Sequence, residues 1–175
     1  MRLYIKYTAV VIFFIFIMLT LHAQKASEYQ VKADFLLNFS KFLEWPSAAL
    51  GQPNEPFVLG VLGNDPFGNY LDEITAGEKI MDRPMVVKRF NSIHDIDKCH
   101  ILFINLPGET SEALNTLKGK SVLTVSDEQD FNRNGGIIRF YSDNDTIRLQ
   151  INLDAAKTAN LNVSSKLLRI AKIYE

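Results

Sequence analysis

Four short stretches carry residue types that could do chemistry. "GVLGNDPFG", Gly60–Gly68, sets glycines between an apolar run and a helix-like run, as phosphate-cradling loops do. Its spacing fits neither GxGxxG nor GxxxxGK[ST], and Asp65 would put a carboxylate where a phosphate would sit. It reads as a turn and helix cap. His94 and His100 are six apart with no evident third ligand, short of a metal site. "SDEQD", Ser126–Asp130, groups three carboxylates after a strand: a solvated loop or cap, with a cation or partner-facing site as the alternative. "NLNVSS", Asn160–Ser165, gathers short polar side chains before a helix-like run. Asn160, Asn162, Ser164 and Ser165 could offer amides and hydroxyls to a small anion or carboxylate, with Ser164 or Ser165 as the cap. No serine, threonine or cysteine has a base at motif spacing, so nucleophilic catalysis finds no support. The expectation is a binding protein and not an enzyme, with no metal and no cofactor.

Two further groups could contact a partner. Trp45 ends the aromatic stretch "DFLLNFSKFLEWP", Asp34–Pro46. A continued helix would point it to the polar side, and Pro46 biases it out of helical backbone; a Trp at a helix exit most often still packs somewhere, but it is the best aromatic candidate for a surface role. Lys166, Arg169 and Lys172 recur at three-residue spacing in "SKLLRIAKIYE", which reads as a closing helix with Leu167, Leu168, Ile170, Ala171 and Tyr174 inward. Cations near a helix C-terminus suit its dipole, and the stripe could also dock an acidic partner.

The elements that must position these groups follow from periodicity. After a capping-box arrangement at Ser27 and Gln30, Tyr29, Val31, Phe35, Leu36, Phe39, Phe42 and Leu43 share one helical arc. Gln30, Asp34, Asn38 and Lys41 lie opposite. "PSAALGQPNEP" breaks any regular pattern. "PFVLGVLG", "PMVVKRF", "HILFIN" and "SVLTVS" read as strands, with helices from Asp65 onward, at "SEALNTLK" closed by Gly119, and at "DAAKTANL". "GGIIRFYSDNDTIRLQINL" reads as a hairpin around "SDND". Strands spaced by helices predict an α/β, Rossmann-like three-layer sandwich, mostly parallel, with an antiparallel edge hairpin.

The N-terminus sets the compartment. Arg2 and Lys6 precede the uncharged apolar run Thr8–Leu21, and "LHA" offers a cleavage site after Ala23. The run is short of the roughly 20 residues of a spanning helix. Residues 1–23 read as a signal peptide and 24–175 as one exported domain. A formal charge of −1, more acidic once Arg2 and Lys6 are lost, argues against nucleic acid. Cys99 is the only cysteine, so no intrachain disulfide forms, and it reads as a buried small hydrophobe.

Six pieces, in order, carry a resemblance: "KADFLLNFSKFLEWP", "FVLGVLGNDPFG", "CHILFIN", "VLTVSDEQDF", "GGIIRFY" and "IRLQINLDAAKTANLNVSSKLLRIAK". The chain resembles the YfiR-like periplasmic proteins. That resemblance implies an exported repressor that binds the periplasmic part of a membrane-bound diguanylate cyclase and restrains cyclic-di-GMP synthesis. A membrane-bound sensor kinase is the alternative partner. Some members carry several cysteines and are redox-tuned, a control that Cys99 alone does not support. A periplasmic small-molecule receptor is the second reading, and a homodimer is left open.

Overall fold

The computed structural model of the protein describes residues 28–175. The expected signal peptide and Ser27 lie outside the described residues. Residues 28–42 form helix α1. The chain continues through β1 (Leu43–Glu44), α2 (Ser47–Leu50), β2 (Phe57–Gly63), α3 (Asn69–Thr75), β3 (Lys79–Ile80) and β4 (Arg83–Phe90). A 3-10 turn at Ile93–Asp95 leads to β5 (Ile101–Asn105), α4 (Thr110–Leu117), β6 (Leu123–Ser126), β7 (Ile138–Asp143) and β8 (Thr146–Ile151). Then come α5 (Leu153–Thr158), β9 (Asn162–Val163), α6 (Ser165–Leu168) and β10 (Ala171–Ile173).

Eight strands form one sheet in the order β10-β8-β7-β6-β5-β2-β4-β3. The run from β4 through β2, β5 and β6 to β7 is parallel. β8 is antiparallel to β7, and β3 to β4. β2 and β5 are buried on both faces because their side chains alternate between two cores. Phe57, Leu59, Val61, Ile101 and Phe103 join one core with Leu36 and Phe39 of α1, Leu71 of α3 and Ala156 of α5. Val58, Leu62, Leu102 and Ile104 join the other with Ala113, Leu114 and Leu117 of α4 and with Phe131. Helices on both faces make the three-layer sandwich.

The hairpin is as expected: Asn144 and Asp145 take the paired left-handed conformations (φ 48° and 57°) of its two-residue turn. It is not the edge, however, because β10 pairs in parallel with β8 outside it. The closing helix is therefore a correction. "SKLLRIAKIYE" makes one helical turn and then a strand, with Tyr174 N–H donating to Ile151 O (2.8 Å). The free edge of β8 supplies those hydrogen bonds, and that outweighs helix propensity over so short a run. Ile170, expected inward, is 58% exposed. Val31 is likewise exposed, and Phe35 and Phe42 are only half-buried, whereas Phe39 is fully buried. The helix after Asp65 begins at Asn69. Asp65 instead closes an Asx turn, accepting from Phe67 N–H (2.8 Å).

Candidate functional site

In open parallel sheets a ligand crevice lies beyond the carboxyl ends of the strands, where the strand order reverses. Here that point is β2, flanked by β4 and β5. The crevice is filled. Asn64 N–H donates to Asn105 O and Asn105 Nδ2 donates to Asn64 O, both at 2.9 Å. Gly63 sits at φ 85°, and a Cβ there would collide with the Asn105 carbonyl. Phe67 packs edge-on against Phe103 (4.8 Å) and Tyr29 (5.7 Å). Arg89 then ties Asp65 (2.7 Å) to Asp72 (2.5 Å), holding the Asp72 carboxyl below its ordinary range. The glycine loop is a clamp for the chain itself.

One end of the sheet further along, β6 stops at Ser126, and the first turns of α1 lie over it. Lys32 is buried (3% exposed) and bonds Glu28 (2.6 Å) and Asp127 (2.7 Å). Tyr29 donates to the same Asp127 oxygen (3.0 Å), and Lys32 Nζ stands 4.3 Å from the Tyr29 ring centre. Burial, and then Asp127, push the Tyr29 hydroxyl well above the usual tyrosine range. Burying an ammonium is costly without partners, and this arrangement supplies two carboxylates and a ring. A cleft of about 310 Å³ opens beside it, lined by Glu28, Lys32, Asp127, Arg139, Tyr141 and Ser142 among others. Asp127 is one of the three "SDEQD" carboxylates. Lys32 was missed, because only the Asp127 loop crossing to α1 makes a lysine tenable there.

A third cluster surrounds His100, at the amino end of β5. His100 is 1% exposed, accepts from Val58 N–H at Nδ1 (2.9 Å) and stacks on Phe57 (4.4 Å). Its Nε2 makes no well-formed hydrogen bond among the described residues. Desolvation, and then the charge of Lys98, lower its pKa to about 4, so it is neutral at pH 7. His94 is exposed on the 3-10 turn. Among the described residues no group of three potential ligands could hold a metal. Cys99 is buried, and burial pushes its thiol up to about 12.

Trp45 belongs to this cluster: it packs, and the surface role as a partner contact is corrected. It is 6% exposed, donates from Nε1 to His100 O (3.3 Å) and meets Phe57 edge-on (5.1 Å). The helical phase that aimed it outward ends at residue 42, because Leu43–Glu44 pair with Asn162–Val163. Lys166, Arg169 and Lys172 are all exposed, but on α6, its C-terminal flank and β10, not as one helical stripe. Asn162 and Ser164 line a cleft of about 290 Å³ with Lys41, Phe42 and Glu44. Asn160 and Ser165 do not line it. Ser164 caps the single turn of α6, accepting from Leu167 N–H (3.4 Å), and Asn162 donates to Glu44 (3.4 Å). These polar atoms serve the β1–β9 corner first.

The fold is that of an α/β domain, and at the carboxyl end of β2 the side chains named above are bonded to one another. The chain belongs to the YfiR/HmsC-like family, whose model matches residues 29–172. That family comprises periplasmic, non-catalytic regulators of diguanylate cyclases. No curated protein shows significant similarity to the chain. Among solved structures, one described as an ABC domain in complex with L-Trp from Streptococcus pneumonia is similar at 10% identity and a TM-score of 0.48. The similarity covers 67% of this chain and 55% of that one, and nothing about ligand or activity carries over.

Proposed function

We propose that the protein is exported by a cleaved leader over residues 1–23 and binds the periplasmic part of a membrane diguanylate cyclase, holding it inactive. The family match over residues 29–172 carries this reading. Among the described residues no helix is long and apolar enough to cross a membrane. A repressor of this kind works by binding the inactive state of its target better than the active one, and needs no catalytic group. Lys166, Arg169 and Lys172 are exposed and lie close in sequence to the exposed Ile170, basic groups beside one apolar side chain, and they are the residues proposed to touch the cyclase or, in its place, a sensor kinase. The test is cellular cyclic-di-GMP in a deletion strain rescued with wild type or with a Lys166→Glu, Arg169→Glu, Lys172→Glu variant shown to be folded and exported. Deletion should raise cyclic-di-GMP and the variant should fail to restore it. An unchanged level on deletion would exclude a cyclase as the target.

A second reading, a small-molecule receptor, is favoured by one observation. A cleft of about 240 Å³ lies between the C-terminal end of α4 and α5, where Lys118, Lys120, Asn134, Asp154 and Thr158 surround apolar side chains. Native mass spectrometry of protein purified from the periplasm would show a retained ligand.

A further inference from the structure

We propose that β7 carries a strand-addition site that takes an extended, acidic segment of a partner protein. The proposal comes from the sheet itself and does not depend on the cyclase reading.

β6 pairs with β7 only at Val125↔Ile138 and Ser126↔Arg139, and then ends. Among the described residues, β7 runs on to Asp143 with β8 as its sole strand neighbour, so an interior strand has a segment, Phe140–Asp143, open on one side beyond the Phe140 N–H. Which backbone groups face that side follows from register. Asn152 N–H donates to Ile137 O, and in an antiparallel ladder alternate residues turn toward the same neighbour. Ile137, Arg139, Tyr141 and Asp143 therefore bond β8, while Ile138, Phe140 and Ser142 turn toward β6. Ser126 reaches only as far as the Phe140 N–H. Among the described residues, the Phe140 carbonyl and both backbone groups of Ser142 are left without a strand partner. Native sheets normally blunt such an edge with prolines, lysines or bulges, and β7 has none of these over Phe140–Asp143. The cleft of about 310 Å³ occupies the place where the missing strand would lie.

The side chains around the edge indicate the chemistry of the added strand. On the face away from α1, Tyr141 stands opposite Arg148, and Arg139 opposite Gln150. The Arg139 guanidinium lies 5.8 Å from the Tyr141 ring centre and donates to Gln150 (3.3 Å), and its Nε is buried without a partner among the described residues. Neither Arg139 nor Arg148 has a carboxylate within ion-pair distance among the described residues. Asp143 shares this face at the hairpin tip, where it accepts from Asn144. On the α1 face, Lys32 already satisfies Glu28 and Asp127. Two uncompensated guanidiniums on one face favour carboxylates at alternate positions of the incoming strand. Main-chain bonds to Phe140 and Ser142 would supply affinity, and the arginines the preference for acidic sequence.

The test uses two capped peptides, one alternating glutamate with valine and a twin alternating lysine with valine, titrated into 15N-labelled protein purified from the periplasm. The glutamate peptide should shift the amide resonances of Phe140–Asp143 saturably, and bind about tenfold more tightly than its twin. Ser142→Pro should abolish this while leaving the thermal midpoint unchanged, because its N–H makes no bond to β8. Arg139→Gln should bring the glutamate peptide down to the affinity of the twin. Absence of saturable shifts at Phe140–Asp143 at millimolar peptide, or binding unaffected by Ser142→Pro, would overturn the proposal. So would a Ser142 amide already protected from exchange in the free protein. Protection that fades on dilution would identify a second copy as the occupant, and protection that persists would identify the chain's own N-terminal segment.

Discussion

At the carboxyl end of β2 the chain closes on itself, and at the carboxyl end of β6 it opens. Both places lie at the same end of one sheet, and both follow a parallel strand. Beyond β2, two asparagines exchange backbone and side-chain hydrogen bonds, a glycine removes the space a side chain would need, and Arg89 holds two aspartates. Beyond β6, an ammonium holds two carboxylates under α1, but the neighbouring strand outruns its partner and leaves a cleft. The difference teaches that a fold rule says where a binding crevice can form, while the local donors and acceptors decide whether one does. A crevice whose polar groups satisfy one another has nothing to offer a ligand.

The two ends can be set against each other by substitution. The largest effect is expected beneath the open end, where Phe39 stacks on Phe35 (6.2 Å) and on Phe140 (6.0 Å). Phe39→Ala should cost about 3–5 kcal/mol in urea unfolding. Because Phe140 then loses its support, amide exchange should rise in the β7–β8 hairpin before it rises at Gly63–Phe67. Uniform loosening of both ends would show that they are not separate in stability.

Lys32→Met keeps the aliphatic stem and strands Asp127 and Glu28. Both carboxylates are partly exposed, so solvent screens the loss, and about 1–3 kcal/mol is expected, lower than for a fully buried pair. Chemical denaturation of this variant measures it. A change under about 0.5 kcal/mol would mean that the ammonium is not what fixes α1 over β6.

His100 lies at the opposite, amino end and gives a control in pH. Its pKa is about 4 when folded against an ordinary 6.5, so between these values the unfolded chain binds a proton that the folded chain refuses. Stability should therefore fall as pH drops from 6.5 to 4, with a slope approaching one proton. His100→Asn retains an acceptor for Val58 N–H and removes the titration, and urea midpoints across that window should flatten. A slope unchanged in the variant would assign the acid sensitivity to another group.

Asn105→Ala removes one of the two reciprocal bonds at the closed end and should cost about 1 kcal/mol. It should also admit faster exchange of the Asn64 amide. No change in either would mean that Phe67 and Arg89 close this end by themselves.

Much of the scaffold was legible because its signals are local. "FVLGVLG" and "ILFIN" are apolar on both faces, which only a strand in the middle of two cores explains economically, and both are such strands. Phe35, Leu36 and Phe39 at helical spacing place α1 on the sheet, and "SDND" fixes the hairpin turn. The site was far less legible. Lys166, Arg169 and Lys172 repeat with a helical period, but over a run of eleven residues that period cannot outweigh an unfilled strand edge on β8. Trp45 was assigned by extending a helical phase three residues past the point where β1–β9 pairing ends the helix. Lys32 shows no sequence signal of burial, since its partner Asp127 is 95 residues away.

The sequence by itself determined the order and type of the central elements, the three-layer class and the family, since each depends on residues near one another in the chain. Tertiary structure alone decided which polar groups are committed and which are free. The sealing of Gly63 against Asn105, the burial of Lys32 and the unpaired edge at Ser142 each depend on where a distant segment stops or crosses. A hydrogen bond satisfied across such a distance leaves no periodicity for a sequence to display.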